Sequence, residues 1–246
     1  MPVIAERGYL IPAIGDTYVA CADRLAASIR RFHPAANITI LTKEMLPYGD
    51  QGGFANDWQV FTASPYRQTI KLEADMICAS SIDHWWTLFE QRDVVVSQGA
   101  RTFYDEPAAS RYYRKIFDAN NLPDVYNAIT YWRLSNTAKE FFDLVRQILE
   151  QWDSYKRILK FPDDVPTTDV VYAIAAVIMG PERVTLPQGL GPTIVHMKRH
   201  INPIQGNNWT QELTWENNPL RINTVAQWGL VHYHVKEWSN DSEFGC

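Results

Sequence analysis

Glu73 and Asp75 stand two residues apart where the apolar run Thr69-Ile70-Lys71-Leu72 ends, just before Met76-Ile77. Residues i and i+2 of a strand point to one side. Two carboxylates at a strand end can therefore converge on one hard cation. Mg²⁺ or Mn²⁺ held by one or two carboxylates and by substrate phosphates has that geometry. The pair thus points to a phosphorylated substrate. His196 closes a second apolar run, Pro192–Met197, and an imidazole there can complete a metal shell. His232 and His234 fall on one face of a third run, Gly229–His234, with Lys236 placed to hold a phosphate. One of these two histidine segments belongs to the site and the other supports it. Both assignments stay open at this point.

The elements that must position these groups read as an α/β protein. Tyr9–Ile14 is an expected strand. Asp16 is the expected N-cap of a helix over 17–32, with Val19, Ala22, Leu25, Ala26, Ile29 and Phe32 as its apolar stripe. Pro34 ends it, and Ile38–Leu41 is a second strand, which gives a βαβ opening and a parallel sheet. Leu46 to Asp57 reads as a glycine-containing loop. Further strands are expected at Ile70–Glu73, at Val94–Val96 in a central position, and at Tyr126–Leu134. Helices are expected over 82–91, 108–120 and 136–155, and from Thr167 or Thr168 to Met179. Strands at Thr193–His196 and Gly229–His234 follow, with Asn202–Asn223 irregular between them. The whole is expected to be one Rossmann-like domain with a mixed, mostly parallel sheet. Residues 1–135 form its nucleotide-binding half and residues 136–246 its acceptor-side half.

Composition narrows the class. Of 246 residues 46% are hydrophobic, enough for a sizeable core. The formal net charge of −5 gives no global sign of nucleic-acid binding. The local cluster Arg111-Tyr112-Tyr113-Arg114-Lys115 is the best candidate for a phosphate backbone. Cys21, Cys78 and Cys246 are scattered and form no CxxC, so they read as reduced thiols. Glu6 and Arg7 sit where a signal peptide needs its apolar run, and no apolar stretch is long enough for a membrane span. The expectation is a cytoplasmic protein with no membrane and no obligate protein partner. No Walker A loop, GxSxG, HExxH or glycine fingerprint follows the first strand, which disfavours kinases, hydrolases, zincins and dehydrogenases.

Ligands of open α/β sheets bind at the carboxyl ends of the strands. Pro12, Ala13 and Tyr18 follow the first strand and are candidates to meet a nucleobase. Lys71-Leu72-Glu73-Ala74-Asp75-Met76-Ile77 resembles the "YLDADMI" motif of GT-A glycosyltransferases, with Glu73 in place of the first Asp. The likeness is greatest to the glycogenin and lipopolysaccharide galactosyltransferase-like group. Tyr18–Ile29 resembles that group's "YxxxAxxLAxSI" helix. Asn127-Ala128-Ile129 resembles its "NAGVMLF" strand, with Ile129 for the usual Gly. Thr168-Asp169-Val170 resembles its "DQD" helix start. Val184–Pro187 with Thr193–His196 resembles its "LP…IIHF" ending, and Asn202-Pro203 stands for its "KPW".

The resemblance covers about residues 8–203. It implies a metal-dependent transfer of sugar from a nucleotide-diphosphate donor, UDP-sugar favoured, with retention. It implies metal ligands Glu73, Asp75 and His196, with Lys71 in the donor-binding set and Lys198 or Lys236 on the diphosphate. Asn127 and Asp169 orient the sugar, and Asp169 is the general base if the reaction inverts. The acceptor is a saccharide or, by similarity to bacteriophage glycosyltransferases, a hydroxymethylated base in DNA. A nucleotidyltransferase and a catalytically silent nucleotide-sugar-binding protein are the alternatives.

Overall fold

A computed structural model describes residues 2–108, 114–187, 189–206 and 209–236. The chain opens with β1 (Ala5–Pro12), α1 (Asp16–Phe32) and β2 (Ile38–Leu41). A 3₁₀ turn over Gly53–Gln59 runs into the short α2 (Val60–Ala63), then β3 (Tyr66–Leu72) and β4 (Met76–Cys78). After α3 (His84–Phe89) come β5 (Val94–Gln98), β6 (Ala100–Arg101), α4 (Lys115–Ala119) and β7 (Val125–Arg133). Then follow α5 (Asn136–Glu150), α6 (Trp152–Leu159), α7 (Thr168–Met179), α8 (Pro181–Val184) and β8 (Ile194–His196). The last part holds α9 (Trp209–Glu212), a small antiparallel sheet of β9 (Trp215–Asn217), β10 (Leu220–Ile222) and β11 (Val225–Ala226), and finally β12 (Leu230–His232).

The main sheet has the order β2-β1-β3-β7-β5. β2, β1 and β3 are parallel, and β7 runs antiparallel to both of its neighbours. A second sheet has the order β4-β12-β8-β6. Side chains alternate across the main sheet, as pleating requires. Ile11, Ile70 and Tyr131 join the buried face of α1 (Cys21, Ala22, Leu25, Ala26, Ile29) in one core. Leu10, Val94 and Trp132 pack with α5 and α7 in the other. The sheet is therefore sandwiched, and its open route to a ligand is along the strand ends.

Several expectations shift. Gly15, at φ 104, is the N-cap of α1, and Asp16 is its first residue, so Asp16 makes no side-chain cap. Phe32 is exposed rather than part of the stripe. β5 lies at the edge of the main sheet, not its centre; α8 and the α5 side cover its apolar residues, which is why the run is uniformly hydrophobic. The helix expected over 136–155 breaks at Gln151, whose φ of −109 leaves the helical range. Of the helix expected over 108–120, only Lys115–Ala119 is seen, and 109–113 lie outside the described residues. Part of Asn202–Asn223 is ordered as α9, β9 and β10.

Candidate active site

The Glu73-Ala74-Asp75 segment is the hand-over between the two sheets. β3 ends at Leu72 and β4 begins at Met76, so the pair sits in the bend and not on a strand. Both flanks are pinned. The Glu73 amide donates to the Ala128 carbonyl of β7 at 3.1 Å, and the Asp75 carbonyl accepts from the Tyr233 amide at 3.1 Å. Strand order then decides which histidine meets the carboxylates. β12 lies directly beside β4, with His232 opposite Met76, while β8 is one strand further on, with His196 opposite His232. His232 Nε2 is 3.3 Å from Glu73 Oε2 and 3.2 Å from Asp75 Oδ1.

The structure therefore groups Glu73, Asp75 and His232, with ligand atoms all within 4.8 Å of one another. His196 is not in that group; it clusters with His232 and His234. The structure does not bring His196, the expected third ligand, into the carboxylate group, because β12 lies between β8 and β4. The two histidine segments are neighbours in one site rather than alternatives. His234 also reaches its place differently from expectation. It lies beyond β12 at φ 62, and this turn brings its ring centroid to 3.7 Å from that of His232.

The charges are strongly coupled. Burial opposes ionisation of Asp75, but His232 and Lys236 outweigh it and hold its carboxyl below the ordinary range. The Lys236 ammonium is paired to Asp75 Oδ2. Burial, reinforced by Asp75, raises Glu73. Burial disfavours the His232 imidazolium, yet the two carboxylates hold its pKa above the ordinary value. His196 and His234 are pushed well below it, by burial first and by the facing imidazoles second. Two carboxylate oxygens and an imidazole nitrogen on a cavity wall form a donor set that suits Mn²⁺ or Mg²⁺.

These groups face a cavity of about 460 Å³. Pro12 and Tyr18 line it, as do Lys71, Asp169, Lys198 and Lys236. Tyr18 is 40% exposed, and Lys236 Nζ stands 5.4 Å from its ring centroid. Ala13 does not reach the cavity; it is buried, and its amide serves the Leu41 carbonyl at 2.9 Å. Asn127 is likewise fully buried and off the cavity, so it is not placed to face a sugar directly. Its amide nitrogen Nδ2 donates to Asp57 Oδ2 at 3.1 Å, and its Oδ1 accepts from Thr130 at 2.8 Å. Asp169, in the first turn of α7, accepts from the Asn127 backbone N–H at 2.8 Å and from Arg114 at 3.1 Å.

Sequence reasoning missed Asp57. It ends the glycine-containing loop, yet it anchors a buried network beside the cavity. Lys71 Nζ reaches Asp57 Oδ1 at 2.9 Å, and the Tyr172 hydroxyl donates to its other oxygen. An acidic residue inside the glycine loop, with a lysine on an apolar strand, was the available signal. Phe54, Tyr126 and Thr167 also line the cavity unforeseen. Of the basic cluster at 111–115, Arg114 is buried between the Phe117 and Tyr126 rings, 4.0 Å from each centroid, and pairs with Asp124 and Asp169, while Lys115 is exposed. Residues 111–113 lie outside the described residues.

The fold matches solved glycosyltransferases over nearly its full length. A complex of the galactosyltransferase LgtC with donor and acceptor sugar analogues superposes with a TM-score of 0.53 at 14% identity, covering 97% of this chain and 92% of that one. A glycosyltransferase involved in glycosylation of the major capsid of PBCV-1 gives 0.52 at 11% identity, covering 96% and 98%. Apo mouse xyloside xylosyltransferase 1 gives 0.51 at 10% identity, covering 94% and 98%. The chain has the GT-A glycosyltransferase fold. No protein-family model matches the sequence, and no curated protein matches it by sequence. At these identities the likeness concerns the fold. In this GT-A chain the carboxylate pair, His232 and the cavity lie together at the strand ends. Among the described residues, no helix is long and apolar enough to cross a membrane.

Proposed function

We propose that this chain is a metal-dependent glycosyltransferase that moves a sugar from a nucleotide-diphosphate donor, UDP-sugar favoured, to an acceptor hydroxyl. The observation that carries the proposal is the convergence of Glu73, Asp75 and His232 with Lys236 on one cavity wall. Glu73, Asp75 and His232 would hold Mn²⁺ or Mg²⁺, which would supply Lewis-acid neutralisation of the leaving diphosphate. Lys236 and Lys198 add positive charge to the same group. Tyr18 stacks on the base beside Pro12. Asp169 orients the donor sugar with the face that Arg114 and the Asn127 amide leave open. Asn127 acts from below, by fixing Asp57 and Asp169.

Retention is the favoured outcome. The cavity carboxylates outside the metal group, Asp57 and Asp169, are each engaged by a cation and a further donor. Neither is a free nucleophile, which favours front-face substitution assisted by the leaving phosphate. A saccharide is the favoured acceptor, in keeping with the acceptor sugar analogue bound to LgtC. The burial of Arg114 weakens the case for DNA.

The test is turnover of a panel of UDP- and GDP-sugars, with and without Mn²⁺, in the parent and in Asp75→Asn. Metal-dependent donor hydrolysis or transfer in the parent, lost in the variant, is expected. Undiminished turnover in Asp75→Asn removes the metal role, and no binding or turnover of any donor removes the transferase.

A further inference from the structure

The carboxylate group accounts for one histidine, yet three imidazoles line this wall. His196 Nδ1 and His234 Nε2 are 3.1 Å apart. The ring centroids of His196 and His232 are 5.2 Å apart, and those of His232 and His234 are 3.7 Å apart. One nitrogen from each of the three falls within 4.8 Å of the others. A single neutral hydrogen bond uses one nitrogen of His196 and one of His234. It leaves His232 Nδ1 buried with no hydrogen-bond partner among the described residues. An unpaired buried polar atom is costly and calls for an explanation.

We propose that His196, His232 and His234 form a second cation site, one that takes a late first-row divalent ion such as Zn²⁺ or Co²⁺ rather than Mg²⁺ or Mn²⁺. Imidazole sets suit such metals, whereas oxygen sets suit Mg²⁺ and Mn²⁺. Zinc–nitrogen bonds of about 2.0–2.1 Å put tetrahedral nitrogens about 3.4 Å apart. The His196 and His234 nitrogens, 3.1 Å apart, stand near that separation, and one nitrogen from each ring lies within 4.8 Å of the others. Three histidines with a fourth position open to solvent make a recognised catalytic zinc arrangement. All three rings line the cavity, which supplies the fourth position. The backbone holds the set in register. His196 and His232 are paired residues on β8 and β12, and the Asn202 side chain caps the His196 carbonyl at 2.6 Å. His232 is common to both groups: its Nε2 faces Glu73 and Asp75, and its unpartnered Nδ1 is the nitrogen left for the histidine site.

The proposal concerns the three rings and stands apart from donor chemistry. The experiment is titration of untagged full-length protein with CoCl₂, read by visible absorption, followed by displacement with ZnCl₂. The parent should give the intense band of a low-coordinate, nitrogen-rich Co²⁺ site. His196→Ala and His234→Ala should each weaken Co²⁺ binding by at least about tenfold, the loss that even outer-shell partners of a metal produce. The Glu73→Gln/Asp75→Asn double variant should retain the band. His234 is the less buried ring, so its variant keeps the test meaningful if His196→Ala does not fold. No band in the parent, binding undiminished in His234→Ala, or a band lost in the carboxylate variant overturns the site. Failure here leaves the carboxylate centre intact, while loss of Mn²⁺-dependent turnover alone leaves the histidine site intact.

Discussion

Asp57→Asn should destabilise this chain more than any surface charge removal, and its size can be worked from the geometry. Lys71 is 2% exposed and Asp57 13%, with 2.9 Å between Nζ and Oδ1. Nζ also meets the Asn127 carbonyl at 3.3 Å and stands 5.6 Å from the Tyr172 ring centroid, neither of which is an anion. Converting the carboxylate to an amide leaves a buried ammonium without an anion. With its oxygen kept toward Lys71, the amide also sets an N–H donor against two donors, because Asn127 Nδ2 and the Tyr172 hydroxyl both donate to Asp57 Oδ2. Removing one partner of a buried pair costs about 3–5 kcal/mol. At about 2–4 °C per kcal/mol for a chain of this length, Tm should fall by about 6–20 °C. Removing both charges is a different perturbation, since a buried pair replaced by neutral groups is often nearly neutral in stability. Asp57→Asn/Lys71→Met should therefore recover most of the loss. Guanidinium denaturation followed by tryptophan fluorescence, run as a double-mutant cycle, measures this directly. A single variant within about 0.5 kcal/mol of the parent, the range of ordinary surface changes, refutes the reasoning. So does a double variant that simply sums the two singles.

Three further outcomes are expected. Mn²⁺ at one hundred times its Kd should stabilise the fold by about 2.7 kcal/mol, a rise in Tm of about 5–11 °C, and Glu73→Gln or His232→Ala should abolish the shift in differential scanning fluorimetry. An unchanged Tm in millimolar Mn²⁺ counts against the carboxylate–imidazole centre. Gly8→Ala should cost about 1–3 kcal/mol by overpacking, since the added Cβ meets the Tyr66 ring at 2.4 Å. A variant as stable as the parent in urea shows that the ring can move aside. Tyr18→Ala should raise KM for the donor by about fivefold or more while leaving kcat nearly unchanged, because stacking on a base is worth about 1–3 kcal/mol. An unchanged KM places the base elsewhere in the cavity.

Much of the fold was legible because local signals were strong. The apolar period of α1, the stop at Pro34 and the strand at Ile38–Leu41 all sit where the sequence pattern puts them. The signal failed where a tertiary relation decides. Val94-Val95-Val96 reads as a central strand because it is hydrophobic on both faces, yet helices rather than strands cover its outer side. Asp57 reads as a loop acid, because only the fold brings Lys71, Asn127 and Tyr172 to it. Asn127 reads as sugar-facing from its place in a motif, but it is spent on that same network.

The metal-binding assignment turns on the same distinction. Spacing in the chain ranked His196 and His232 as rivals, since each closes an apolar strand. Strand order resolves them: one inter-strand step, about 4.8 Å, separates β8 from β12, and only β12 borders the bend that carries Glu73 and Asp75. His196, on the far side of β12, falls outside the group of ligand atoms that Glu73, Asp75 and His232 form. Lys236, four residues beyond His232, then reaches Asp75 from the same segment. The last strand thus delivers an imidazole and an ammonium to one carboxylate. The same pairing decides which substitution of Asp75 is informative. Asp75 is buried and meets His232 and Lys236 together, so Asp75→Ala leaves an imidazole and an ammonium facing an emptied position, whereas Asp75→Asn keeps the shape and removes only the charge. The amide is therefore the substitution that separates a chemical role from a structural one.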